Sequence, residues 1–116
     1  MMSLFQWGNY NLASGEPTEF LIDCDALSDE SIEALARLVL WNDLGRLARQ
    51  IYSVPTGGDR LAEALKRLHT VPRPNGHVLI VEDVLTTGRS MEAVRLQHSE
   101  PVLGLCIFAR RPMPYW

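Results

Sequence analysis

Lysine is almost missing from this 116-residue chain: Lys66 stands alone beside ten arginines. Cysteine is scarce as well. Cys24 and Cys106 lie in apolar stretches without metal-ligand spacing, so they read as small core residues of a reducing compartment, not as a disulfide framework. No apolar run approaches the roughly 20 residues that span a bilayer. The longest, such as Leu38 to Trp41 and Val78 to Val81, fall far short, and no membrane partner is expected. Met1 to Tyr10 has neither a basic start nor an apolar signal core, so a cytoplasmic location is expected. Basic charge is not in excess either: the net charge is −3, which leaves no surface for counterion release from duplex nucleic acid. What remains is a chain with 47% hydrophobic and 22% charged residues, ordinary for a globular protein and too short for two cores of usual size. One domain over residues 1–116 is expected.

The first seventeen residues, rich in Gly, Asn, Ser and Pro, read as a loop, and Thr18 to Cys24 as a short strand ending at Asp23 and Asp25. Ser28 is a good helix N-cap. Asp29 and Glu30 suit the first turn behind it, and Ile32, Leu35, Ala36 and Val39 recur on one face. Ala48 to Val54 reads as a second strand, which "PTGGD" at Pro55 to Asp59 interrupts before a helix carrying Leu61, Ala64, Leu65 and Leu68. The unalternating run Val78 to Val81 marks a strand covered on both faces, hence a parallel sheet. A helix over about Ser90 to Gln97 and a last strand, Val102 to Ala109, complete the pattern. Strands alternating with helices predict an α/β fold, an open and mainly parallel twisted sheet with flanking helices.

The stretch "VLIVEDVLTTGRS", Val78 to Ser90, carries the chemistry. A strand delivers two carboxylates, Glu82 and Asp83, and a small-residue turn follows. In open α/β sheets ligands settle at the carboxyl ends of the strands. There the hydroxyls of Thr86, Thr87 and Ser90, the backbone freed by Gly88, and the Arg89 side chain suit a phosphate. Ionised carboxylates accept hydrogen bonds only, so the acids suit vicinal hydroxyls, and the stretch fits both ends of a ribose phosphate. A strand ending in solvated acids before an ordinary helix is the plainer alternative. A nucleotide-hydrolase reading requires an upstream Gly-x-x-x-x-Gly-Lys-Ser/Thr loop, which the sequence lacks.

Val78 to Ser90 resembles, over its whole length, the signature of the type I phosphoribosyltransferases, whose substrate is 5-phosphoribosyl-1-pyrophosphate (PRPP). The resemblance implies that Glu82 and Asp83 are the catalytic, ribose-binding pair, that Thr86, Thr87, Gly88, Arg89 and Ser90 bind the 5-phosphate, and that Asp83 meets a Mg2+ ion carried with PRPP. "VPTGGDRLAEAL", Val54 to Leu65, looks like the family's pyrophosphate loop and its helix, which assigns Thr56, Gly57, Gly58, Asp59 and Arg60 to the leaving group. Such loops often contain a non-proline cis peptide. "YNLASGEPTEFLIDCDALS", Tyr10 to Ser28, is similar to the orotate branch, the part of the family this chain resembles most. That branch implies transfer of phosphoribosyl from PRPP to a nucleobase, with Arg110 or Arg111 meeting a base carboxylate, unless the two form a solvated pair. It also implies a homodimer.

The sequence departs from that branch in one important place. Orotate enzymes insert a basic hairpin between the helix after the pyrophosphate loop and the signature strand, whereas here the interval is only "HTVPRPNG", with Arg73 and no lysine. Ala13 and Glu16 stand where the branch often has basic residues. Two further readings therefore stay open: a homologue that binds PRPP or a nucleotide as a regulator or partner subunit with weak or no turnover, and an α/β scaffold without ligand.

Overall fold

The computed structural model describes residues 3–12, 15–69 and 73–110. Its core is a parallel sheet of three strands, β3 (Ala48–Ser53), β4 (His77–Leu85) and β5 (Val102–Ala109), with β4 in the centre. Ile51 pairs with Leu79 on one side of the ladder, and Ile80 with Gly104 on the other. Val78, Ile80 and Val81 are fully buried and Leu79 nearly so, which is what an unalternating run in a sheet covered on both faces requires. Burying each of these side chains stabilises the fold by on the order of 2 kcal/mol.

Helices cover the sheet unequally. α1 (Asp29–Trp41) and α3 (Asp59–Leu68) pack on one face, where Ile32, Ala36, Leu61 and Leu65 meet Ile51, Leu79 and Val81. The start of α1 follows the expected chemistry: the Ser28 hydroxyl accepts from the Ser31 amide, and Asp29 and Glu30 occupy the first turn. α4 (Arg89–Arg95) covers the other face through Met91, packed with Val54, Val78, Ile80 and Leu85. A single helical turn, α2 (Asp43–Arg46), joins α1 to β3 and was not legible in the sequence. Gly45 allows it, because a Cβ there would fall 2.2 Å from the Val39 carbonyl oxygen. Among the described residues no helix is long and apolar enough to cross a membrane.

The first seventeen residues correct the expectation of a loop. β1 (Phe5–Asn11) pairs antiparallel with β2 (Pro17–Ile22), setting Phe5 opposite Ile22 and Trp7 opposite Phe20. The alternation of Phe5 and Trp7 was the available signal. Gly8 and two asparagines disguise it, and the register shifts between Trp7 and Tyr10. The hairpin rests against the end of β5, where the Phe5 and Phe108 rings meet edge to face at 6.1 Å.

Candidate functional site

β4 runs further than its apolar stretch. It continues through both acids to Leu85, with Glu82 paired to Cys106 and Leu85 to Ala109 of β5. Strand alternation starts the two side chains on opposite faces, yet their carboxyl groups come back within hydrogen-bond reach of each other. Asp83 lies on the side of Gly57 and its charge is felt at Cys24, whereas the charge of Glu82 is felt at Cys106. Both carboxylates also bind local backbone: Glu82 Oε1 accepts from the Asp83 amide at 3.0 Å, and Asp83 Oδ1 from the Val84 amide at 2.7 Å.

Burial pushes the Glu82 carboxyl up to about 8, and its hydrogen bond with Asp83 adds to the shift. The shift favours the protonated form of Glu82, in which the carboxyl can donate as well as accept. The sequence suggested two ionised acceptors; burial of the strand end makes the difference. The Cys24 thiol is raised to about 12, first by burial and then by Asp83, Asp23 and Asp25, so it is no nucleophile.

The segment Pro55 to Gly58 leaves β3 and turns directly against β4. Its Pro55–Thr56 peptide is cis. A Cβ on Gly57 would lie 2.3 Å from Asp83 Oδ1, and one on Gly58 would lie 2.1 Å from the Val81 carbonyl oxygen. Gly58 admits no Cβ against that backbone carbonyl, a Cβ on Gly57 would have to displace the Asp83 carboxylate, and the close approach brings the two sequence motifs into contact. The Gly58 amide donates to the Val54 carbonyl and the Asp59 amide to that of Thr56, closing the turn into α3. Asp59 accepts from the Ser53 hydroxyl at 2.5 Å.

Beyond Asp83 lies the second turn. Gly88 takes a left-handed conformation with φ of 83° at the entry to α4, and the Thr87 hydroxyl accepts weakly from the Arg89 amide at 3.3 Å. Thr86, Thr87 and Gly88 are half-buried, while Arg89 and Ser90 are exposed.

Two arginines assigned to ligands are engaged elsewhere. Arg60 donates to the carbonyls of Cys24 and Leu27 and to Asp29, bracing a short 3-10 turn at Cys24–Ala26 against α3. Arg110 donates to Thr18 Oγ1 at 2.6 Å and to the Phe20 carbonyl at 3.3 Å, with its guanidinium 3.8 Å over the Phe20 ring. Sequence reasoning missed this clamp because its partners lie in the segment taken for a short strand after a loop. Arg111 and Ala13 lie outside the described residues.

Among the described residues no group of three or more His, Cys, Asp or Glu side chains is arranged around a metal. A magnesium ion held by one carboxylate and by substrate oxygens needs no such cage. The Asp83 carboxylate, held against the Gly57 backbone too closely for any Cβ, is the oxygen donor that would fit such an ion.

The architecture has relatives among solved structures. An orotate phosphoribosyltransferase from Aeropyrum pernix superposes with a TM-score of 0.73 at 27% identity, covering 92% of this chain and 76% of that one. The chain shares the type I phosphoribosyltransferase fold of the orotate enzymes. Two more distant structures share that fold. The Leishmania donovani UMP synthase has a TM-score of 0.64 at 21% identity, covering 92% of this chain and 28% of its own. The Mycobacterium tuberculosis orotate phosphoribosyltransferase has a TM-score of 0.61 at 15% identity, covering 91% of this chain and 89% of its own. No protein-family model and no curated protein matches the sequence. Within this phosphoribosyltransferase fold, α3 ends at Leu68 and β4 begins at His77, so the interval where the orotate branch was expected to carry a basic hairpin stays short.

Proposed function

We propose that the chain, as one phosphoribosyltransferase-like domain over residues 1–116, binds PRPP between the Pro55–Gly58 turn and β4, and transfers its phosphoribosyl group to a nucleobase. The observation that carries this reading is the approach of Gly57 to Asp83, which joins the Pro55–Gly58 turn to the acids of β4. Asp83 and Glu82 hold the ribose hydroxyls. The turn from Thr86 to Ser90 takes the 5-phosphate, and the backbone of Thr56 and Gly57 takes the pyrophosphate. A magnesium ion bound with PRPP would neutralise pyrophosphate charge, and Asp83 is the residue that would hold it. In the transfer the C1–oxygen bond to pyrophosphate breaks with its electron pair leaving on pyrophosphate. A ring nitrogen of the base forms the new bond to C1 and releases its proton to solvent. Orientation and charge supply the rate, since no covalent enzyme intermediate is needed.

A specific observation favours a second reading, in which PRPP or a nucleotide is bound with little turnover. Arg60 and Arg110 are both committed to protein partners, so few cations remain to offset a departing pyrophosphate. Calorimetric titration with PRPP and magnesium, followed by pyrophosphate release with orotate, uracil, adenine and hypoxanthine, separates the two. Binding with release supports transfer, and binding without release supports the second reading. Failure to bind overturns both.

A further inference from the structure

The Pro55–Gly58 turn joins β3 to α3 through two adjacent glycines, and glycine loses more conformational freedom on ordering than any other residue. Pro55, Thr56 and Gly57 are exposed, and Gly58 is buried. The amides of Gly58 and Asp59 are committed to the carbonyls of Val54 and Thr56, bonds that lie within the turn. A side-chain pair closes it from outside. Ser53 ends β3, Asp59 begins α3, and the Ser53 hydroxyl donates to Asp59 Oδ1 at 2.5 Å. At that length a hydroxyl and a carboxylate form a charge-assisted hydrogen bond, about twice as strong as a neutral one.

Asp59 is an unfavourable neighbour for an anion. A carboxylate in the first helical turn suits the dipole of α3, but it repels a phosphate group brought to the same turn. As a direct ligand it would need a cation between the two charges. The fold gives Asp59 a protein partner instead. Arg60, the next residue, donates to the carbonyls of Cys24 and Leu27, so the start of α3 is tied on one side to β3 and on the other to the 3-10 turn at Cys24–Ala26. The turn sits on β4 with little slack, since a Cβ on Gly58 would lie 2.1 Å from the Val81 carbonyl oxygen. A turn fixed in this way presents the backbone of Thr56 and Gly57 to a ligand without an ordering cost at binding.

We propose that Ser53 and Asp59 form a latch that keeps the Pro55–Gly58 turn in the shape that receives an anion. Asp59 is a positioning residue for that turn and not a pyrophosphate ligand, which departs from the role implied by the resemblance. The latch acts through the backbone. Without it the two glycines regain rotational freedom, and the turn must be ordered again at each binding event. It therefore bears on ligands that reach the turn and not on the 5-phosphate end of the site. For its ligand the latch rests on the PRPP reading, and for its action on the turn it rests on the Ser53–Asp59 geometry alone.

Calorimetry of the full chain with PRPP and magnesium, and separately with ribose 5-phosphate, tests it beside amide exchange at positions 58 and 59. Ser53→Ala and Asp59→Ala, both at half-exposed positions, should each weaken PRPP binding about tenfold. Ribose 5-phosphate carries no pyrophosphate, so its affinity should stay at the wild-type value. The double variant should bind PRPP no more weakly than either single one, because both remove the same bond. Asp59→Asn keeps an acceptor for the Ser53 hydroxyl and should recover most of the affinity. The two amides should exchange faster in both alanine variants, while those of Leu79 to Val81 keep their protection. Additive losses overturn the latch, as does Asp59→Asn binding as weakly as Asp59→Ala, which would mean that the charge itself meets the ligand. Equal losses for PRPP and ribose 5-phosphate, or unchanged exchange at the turn, overturn it too. A wild type that binds neither ligand overturns the PRPP reading, and the exchange rates then decide the latch by themselves.

Discussion

Gly57 and Glu82 define the site at the scale of single residues. Replacing Gly57 by alanine drives a methyl group to within 2.3 Å of Asp83 Oδ1, so either the turn or the carboxylate must move. Overpacking of this kind costs about 1 to 3 kcal/mol. Gly57→Ala should lower the melting temperature moderately and weaken PRPP binding at least about tenfold, the result of 1.4 kcal/mol or more lost at the site. Thermal melts and calorimetry check the two effects separately. Glu82 makes a prediction in pH. Its carboxyl is raised in the fold, so the native chain holds a proton that the unfolded chain has released, and stability falls as pH rises from about 4.5 toward 8. Glu82→Gln removes the titrating group. The loss of stability over that window should shrink by about 1 to 2 kcal/mol, a figure reduced for a carboxyl that is only half-buried. A melting temperature with the same pH dependence in both proteins would assign the shift to another group.

Among the elements, the β1–β2 hairpin depends most on distant partners. Arg110 binds its second strand through Thr18 and Phe20, and Phe108 meets Phe5 of its first. Arg110→Ala removes a hydrogen bond to a hydroxyl, another to a carbonyl, and a cation–π contact, together about 1 to 3 kcal/mol of local stability. Hydrogen exchange should quicken across Thr18 to Ile22, while amides of Leu79 to Val81 keep their protection. Equal acceleration in both would make Arg110 a determinant of global stability. The same element shows where sequence reading reached its limit. β5 was legible to the residue, Val102 to Ala109, because an unbroken apolar run has one reading in a parallel sheet. β4 was legible at its core but not in its extension through Glu82 and Asp83, where pairing with β5 overrides the polarity of the acids. The contact of Gly57 with Asp83 joins segments that no local pattern relates, although each motif was visible alone. The directions of Arg60 and Arg110 were beyond reach for the same reason: a guanidinium chooses among carbonyls that only the tertiary fold assembles.

For the whole molecule the expected outcome is weak catalysis. Losing one well-placed charge-stabilising donor in other enzymes costs on the order of a hundredfold in rate, and here Arg60 and Arg110 are both held by protein groups. Pyrophosphate release from PRPP with any of the four bases should fall well below the turnover of about 10 per second that is ordinary for enzymes. A rate at that level would establish transfer without a basic lid. The Arg110 clamp has another consequence, in the order of assembly. It joins positions 92 residues apart. A lone hairpin is marginal in water, so β1 and β2 can pair early but cannot hold until β5 and Arg110 arrive. Synthesis from the amino terminus leaves this element waiting until Arg110, 92 residues beyond Thr18, has been made. A nascent chain halted before residue 110 should leave Phe20 uncovered to chaperones and proteases long after α1 has formed.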